Sequence, residues 1–72
     1  MNEKAEMTAI ERAADVTRFL MQGGRLWASD VADLYGLSER YAQCFMKYLS
    51  RVIPIYENDD HAWIWLKAEN SH

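Results

Sequence analysis

Residues 24–40 read GRLWASDVADLYGLSER and contain the signals that decide the fold. The spacing of the apolar residues predicts a helix over 28–35. Gly36 ends this helix, because glycine readily adopts the left-handed conformation found after many helices. Ser38 is suited to cap the next helix, since its hydroxyl can accept a hydrogen bond from a free backbone amide. Leu37 is expected to be buried in the turn between the two helices.

Another helix is predicted before this stretch, and a third one after it. Thr8 and Glu11 have the spacing of a capping box, which predicts a helix from there to about Gln22. Gly23-Gly24 ends that helix. The helix capped by Ser38 is expected to span 38–50. The residues expected to face inward are Ala9, Ala13, Val16, Leu20, Val31, Ala32, Tyr35, Ala42, Phe45, Met46 and Leu49; those expected to face outward are Glu11, Asp15, Arg18, Asp30 and Asp33.

The pattern changes from helical to extended after the third helix. Residues 52–56 and 62–66 are β-branched and aromatic, which predicts two strands. Residues 57–61 between them are polar and typical of a turn, so the strands should form a hairpin. Residues 25–27 are too few for a helix and predict a short stub of strand. Pro54 lacks a backbone N–H, so its strand is expected at a sheet edge.

The length and composition predict one small, ordered domain. Seventy-two residues that include three Trp, four Tyr and two Phe are too apolar for a disordered chain. Residues 1–7 and 67–72 are expected to be flexible tails around a domain at 8–66. The predicted fold class is mostly α with a small β-hairpin, in the order α-β-α-α-β-β.

The sequence also argues against several classes of protein. Cys44 is the single cysteine, so an internal disulfide is impossible. The charged N-terminal residues do not resemble a signal peptide, and no apolar run reaches the ~20 residues of a membrane helix. We therefore expect a soluble, cytoplasmic protein. His61 and His72 have no suitably spaced partner residues, so we expect no enzyme activity, no metal site and no cofactor.

This order of elements resembles the winged helix-turn-helix family. Residues 24–40 look like the GRLTAAELAERLGVSER pattern of DeoR-type transcriptional regulators, and Leu49 followed by Ile53-Pro54-Ile55 is similar to the way that family leads into its wing. The resemblance covers about residues 8–66 and implies a three-helix winged helix-turn-helix fold. Residues 52–66 would form the wing, and the helix 38–50 would enter the major groove of DNA.

The charges on the third helix agree with DNA binding, although the chain has a net charge of −3. Arg40, Lys47 and Arg51 lie within roughly 40° of one another on the face opposite the apolar stripe. Such cations can contact phosphate or guanine, and an amide can contact adenine. The alternative is that this is only a solvated helix face. The predicted DNA-binding residues are Ser38, Arg40, Tyr41, Gln43, Cys44, Lys47 and Arg51, with Ser38 and Arg51 on phosphates.

Two features favour a protein partner. Glu57, Asp59 and Asp60 place three carboxylates at the tip of the predicted wing, where they would repel phosphate even with a Debye length of ~8 Å. One small core cannot cover every aromatic ring, which indicates a homodimer or another partner. The residues predicted for this surface are Phe19, Leu34, Tyr48, Trp63 and Trp65.

Three functions are therefore considered. The leading hypothesis is a sequence-specific transcriptional regulator, a small bacterial or phage repressor that binds double-stranded DNA as a homodimer. The alternative is a winged-helix interaction module, an adaptor or an inhibitor of a host protein complex that uses its acidic wing and apolar surface. A DNA-processing accessory, such as an excision or replication factor, is the third possibility.

Overall fold

Three helices and one two-stranded antiparallel sheet make up residues 3–66, the part of the chain that this computed structural model describes. The predicted mostly helical fold with a small hairpin is thereby confirmed. The predicted tail at 67–72 lies outside the described residues. The helices are α1 (Ala9–Met21), α2 (Ala28–Tyr35) and α3 (Glu39–Leu49), and the strands are β1 (Ile55–Glu57) and β2 (Trp63–Trp65).

The helices begin and end within a residue of the predicted positions. The hydroxyl of Thr8 accepts a hydrogen bond from the amide of Glu11 at 3.2 Å, and the Glu11 carboxylate accepts one from the amide of Thr8 at 2.9 Å. The hydroxyl of Ser38 accepts from the amide of Tyr41 at 3.1 Å and caps α3. Gly36 ends α2 with φ +67°, the left-handed conformation that favours glycine.

One hydrophobic core lies between the three helices and the hairpin. Leu37 packs against it from the turn, partly buried rather than fully so. Ala9, expected inward, is exposed, and Arg12 is the buried side chain in the early turns of α1 instead. The buried residues of the core are Val16, Leu20, Leu26, Val31, Ala32, Tyr35, Ala42, Met46, Leu49, Ile55 and Trp63.

The strands are shorter than the sequence predicts. Turns continue after α3, and the amide of Ile53 donates to the carbonyl of Leu49 at 3.0 Å. Val52, expected in the first strand, is therefore outside the sheet and 76% exposed. Pro54 precedes β1, so its missing N–H removes no hydrogen bond from the hairpin. The second strand is one residue shorter at each end than the predicted 62–66.

The stub of strand predicted at 25–27 is reduced to a single residue, Leu26, which pairs with the hairpin. Leu26 forms an isolated antiparallel bridge with Trp63. The two residues exchange both backbone hydrogen bonds, at 3.1 and 2.7 Å. This bridge positions the start of α2 beside β2.

Residues 3–7, which precede the predicted domain at 8–66, form a turn and contact its core. Glu3–Glu6 form one turn of 3-10 helix, and Met7 packs against the core. The Lys4 ammonium lies 2.8 Å from a carboxylate oxygen of Asp15. The hydroxyl of Tyr35 donates to that same oxygen at 2.5 Å. These two bonds hold Asp15 on a half-buried side of α1 rather than on its outer face.

No helix among residues 3–66 has the length and apolar character needed to cross a membrane.

Candidate nucleic-acid interface

The outward surface of α3 is basic. Its core stripe of apolar residues packs inward, which leaves Arg40, Lys47 and Arg51 exposed on the opposite side. Within residues 3–66, neither Arg40 nor Lys47 has a carboxylate within ion-pair distance. The guanidinium of Arg51 lies 5.0 Å from the centre of the Tyr48 ring. The positive charge on this surface is therefore not neutralised by the described part of the chain.

One flank of α3 borders a groove beside the hairpin. Glu39, Gln43 and Lys47 are spaced four residues apart and form one wall of it. Glu57 and His61 line it from the hairpin, and the start of α2 borders its end; the open groove has a volume of about 480 Å³. We call this space the hairpin groove.

The hairpin loop is held by specific hydrogen bonds. The side-chain oxygen of Asn58 accepts from the amides of Asp60 and Ala62, at 2.9 and 3.0 Å. His61 adopts φ +66° to complete the turn. The indole N–H of Trp27, the residue before α2, donates to the backbone carbonyl of Asp60 at 3.0 Å. This bond holds the loop against the start of α2. Because α2 packs against α3, it also fixes the position of the loop relative to α3.

The hairpin side of α3 is acidic. Asp59 and Asp60 are exposed at the loop. A carboxylate oxygen of Glu57 lies 3.5 Å from the imidazole Nδ1 of His61, which neutralises it only when the imidazole is protonated. Glu39 adds a further carboxylate from α3. These carboxylates outnumber the ammonium of Lys47, which also lines the groove, so an anion is repelled from this flank and attracted to the outward surface.

The other flank of α3 faces α1. The hydroxyl of Tyr41 accepts a hydrogen bond from Nη2 of Arg12 at 3.2 Å, and Arg12 is 7% exposed. The guanidinium carbon also lies 5.7 Å from the centre of the Phe45 ring. Sequence reasoning did not single out Arg12, although a signal existed. Arg12 precedes Val16 and Leu20 at intervals of four, which places it on the buried face of α1.

The structure divides the predicted DNA-binding residues among four surroundings. Gln43 borders the hairpin groove, Tyr41 lies on the flank facing α1, and Ser38 caps α3. Cys44 is exposed on the outward surface and borders a small cleft of about 210 Å³. Glu39 was missed as a groove residue, because its neighbours across the groove are far away in sequence. The outward surface holds Arg40, Cys44, Lys47 and Arg51.

The residues predicted for a partner surface are not equally available. Phe19, Leu34 and Tyr48 are exposed to different degrees, and Tyr48 is the most exposed at 65%. Trp65 is half-buried and packs against the core. Trp63 is 7% exposed and belongs to the core, where β2 packs against α1. Trp63 is therefore removed from the predicted partner surface.

No three His, Cys, Asp or Glu side chains of the described residues are grouped so that they could hold a metal ion. His72 lies outside those residues.

Comparison of the chain with models of protein families, with curated proteins and with solved structures found no match. The function is therefore inferred from the residues and their arrangement.

Proposed function

We propose that the protein is a double-stranded DNA-binding transcriptional regulator of the winged helix-turn-helix type, with α3 as its reading helix. The observation that carries this proposal is the exposed basic surface of α3 in a chain that is acidic overall. Concentrating unpaired cations on one helix face suits a helix that enters the major groove, which is about 12 Å wide. The resemblance of residues 24–40 to DeoR-type regulators supports the same assignment.

The residues of α3 have separate roles in this proposal. Arg40 and Lys47 contact guanine edges or phosphates, and Gln43 contacts adenine. Arg51, beyond the end of α3, contacts a phosphate. Ser38 accepts from an amide at its cap, which leaves its own hydroxyl proton for donation to a phosphate.

The small number of cations points to binding as a homodimer. Three phosphate contacts per protomer give a slope of about −3 for log K against log salt concentration, which is shallow. Two protomers on one duplex double the contacts. Their half-sites would lie about 34 Å apart, one turn of DNA. Exposed Phe19 and Tyr48 supply apolar area for contact between protomers.

Selection of bound sequences from random duplex DNA tests the proposal, followed by gel shifts on the enriched site. The double substitution Arg40→Ala with Lys47→Ala is expected to weaken binding by about thirtyfold or more, since each base contact contributes about 1–3 kcal/mol. Arg18→Ala with Arg25→Ala is the matched control, because both arginines are exposed away from α3. If both double variants lose the same affinity, the loss is explained by net charge alone. If Arg40→Ala with Lys47→Ala loses no affinity, α3 does not bind DNA bases.

The acidic hairpin favours a second candidate, a protein-interaction module. In that case Asp59 and Asp60 contact a basic surface of a protein partner. The distinguishing outcome is a random-DNA selection that enriches nothing, together with a stoichiometric complex that is lost in Asp59→Lys with Asp60→Lys.

A further inference from the structure

Arg12 is a buried cation that has no carboxylate within ion-pair distance among the side chains of residues 4–66. Its Nη1 donates to the carbonyl of Met7 at 3.3 Å, and its Nη2 donates to the hydroxyl of Tyr41 at 3.2 Å. Its Nε has no partner. A buried charge is unfavourable unless it is paired and hydrogen-bonded. Arg12 therefore places a positive charge that no carboxylate pairs just below the surface, beside the first turn of α3.

The direction of the hydrogen bond between Arg12 and Tyr41 determines what Tyr41 can do. A guanidinium group has donors only, so the phenol oxygen must be the acceptor. The phenol proton is then available for a second hydrogen bond, with Tyr41 as donor. Tyr41 is 46% exposed, so an acceptor outside the protein can reach its hydroxyl.

The surroundings of this hydroxyl favour a negatively charged acceptor. The guanidinium carbon of Arg12 lies 5.6 Å from the centre of the Tyr41 ring, and a donated bond polarises the hydroxyl that receives it. Tyr41 also lies in the first turn of α3, where the helix dipole is positive. Glu39, in the same turn, borders the hairpin groove on the other flank.

We propose that the hydroxyl of Tyr41, held by the buried guanidinium of Arg12, donates a hydrogen bond to a phosphodiester oxygen of bound DNA. This inference rests on the proposed DNA binding by α3. It adds that the flank of α3 facing α1 holds the DNA backbone, whereas the acidic hairpin does not. Arg12 is a positioning residue that acts through Tyr41.

Tyr41→Phe tests the proposal because it removes the hydroxyl and keeps the ring. We expect about three- to tenfold weaker binding, as for the loss of one hydrogen bond. The loss should be equal on specific and random duplexes, since phosphate contacts carry no sequence information, and the salt slope should not change. Tyr56→Phe, which removes a similarly exposed phenol hydroxyl from β1, should bind as the parent does. Fluorescence anisotropy with labelled duplexes measures all of these.

A second measurement locates the contact on the DNA. Single phosphates of the bound site are replaced in turn by neutral methylphosphonates. At one phosphate in each half-site, the methylphosphonate should lower the affinity of the parent protein but not the affinity of Tyr41→Phe. Near-ultraviolet circular dichroism shows whether Arg12→Gln is folded. If it is, adding Tyr41→Phe to Arg12→Gln should cause no further loss of DNA affinity. If Arg12→Gln unfolds, the phosphate scan still decides.

The outcomes separate this inference from the proposed function. Parent-like binding by Tyr41→Phe, together with lost binding by Arg40→Ala with Lys47→Ala, overturns the phosphate contact and leaves DNA binding by α3 intact. A loss confined to the specific duplex overturns it as well, because Tyr41 would then contact a base. A parent protein that binds no duplex overturns both.

Discussion

Two hydrogen bonds hold the carboxylate of Asp15, one from the ammonium of Lys4 and one from the phenol of Tyr35. The bond from Lys4, followed by the bond from Tyr35, keeps the pKa of Asp15 below its usual value of 3.8. Burial, followed by the bond to Asp15, raises the pKa of Tyr35. Folding therefore stabilises the ionised form of Asp15.

Acid should weaken the fold partly through Asp15. A carboxyl with a lower pKa in the folded state contributes stability that is complete above its unfolded pKa and is lost as the pH falls through its folded pKa. Asp15→Asn should cost about 1–2 kcal/mol at neutral pH, because its uncharged amide oxygen accepts weaker hydrogen bonds from Lys4 and Tyr35. Its free energy of unfolding should then fall less than that of the parent between about pH 5 and about pH 2.

Urea unfolding, followed by tryptophan fluorescence across this pH range, measures the difference. Asp33→Asn removes an exposed carboxylate of α2 and should keep the pH dependence of the parent. The explanation fails if Asp15→Asn and the parent lose the same stability on acidification.

The surroundings of Arg12 and Asp15 could not be predicted from the helical pattern of α1. Asp15 was expected to face outward, and its partner Tyr35 lies 20 residues further along the chain. The partner of Arg12, Tyr41, lies 29 residues away. A periodic pattern shows which face of a helix is apolar, but it does not show which polar side chains meet across a tertiary contact.

The helices, in contrast, could be predicted because their signals are local. The capping box of Thr8 and Glu11 and the cap at Ser38 each depend on residues within three positions. The first strand could not be placed correctly, because Val52 and Ile53 have strand-like side chains but continue the turn after α3. Whether residues with strand-like side chains form a strand depends on what the segment packs against. Here the backbone of Val52 and Ile53 bonds to the end of α3 instead.

Gly36, at the end of α2, is required both by its conformation and by its neighbour. Its φ of +67° is strained for other residues, and an added Cβ would lie 3.2 Å from the Cβ of Ala5. Gly36→Ala should lower the free energy of unfolding by about 1–2 kcal/mol for the conformation alone. The contact with Ala5 should add to this loss.

Thermal or urea unfolding of three variants separates the two contributions. Gly23→Ala has a positive φ but nothing within 4 Å of the added Cβ, so it shows the conformational part. Ala5→Gly removes the methyl group that the new Cβ of Gly36→Ala would meet. If Gly36→Ala is no more destabilising than Gly23→Ala, the contact with the N-terminal turn is unimportant.

Across the whole molecule, the net charge of −3 conceals an uneven distribution. The outward surface of α3 is basic, and the hairpin loop beside it carries Asp59 and Asp60. The sign of each surface could be predicted from the sequence, because charges cluster within single elements. The groove between α3 and the hairpin could not, since it depends on how those elements pack.

Asp59→Asn with Asp60→Asn should strengthen DNA binding, because it removes two negative charges near the proposed interface. We expect a gain of roughly two- to fivefold at low salt that disappears as salt shortens the Debye length. Gel shifts at several salt concentrations measure the gain. Glu6→Gln with Asp33→Asn changes the net charge equally at exposed sites outside α3 and the hairpin and should have a smaller effect. An equal gain in both variants would assign the effect to net charge.

The hydrogen bonds that position the hairpin loop against α2 do not involve the charged side chains of the loop. Trp27 donates to the main chain at residue 60, and Asn58 shapes the turn through neighbouring amides, so the carboxylates of Asp59 and Asp60 make none of these bonds. Both residues can therefore be replaced by neutral or basic residues without a change in the backbone of the loop. Evolution or design can thus change the charge of the surfaces that this loop can bind while the fold of the domain stays the same.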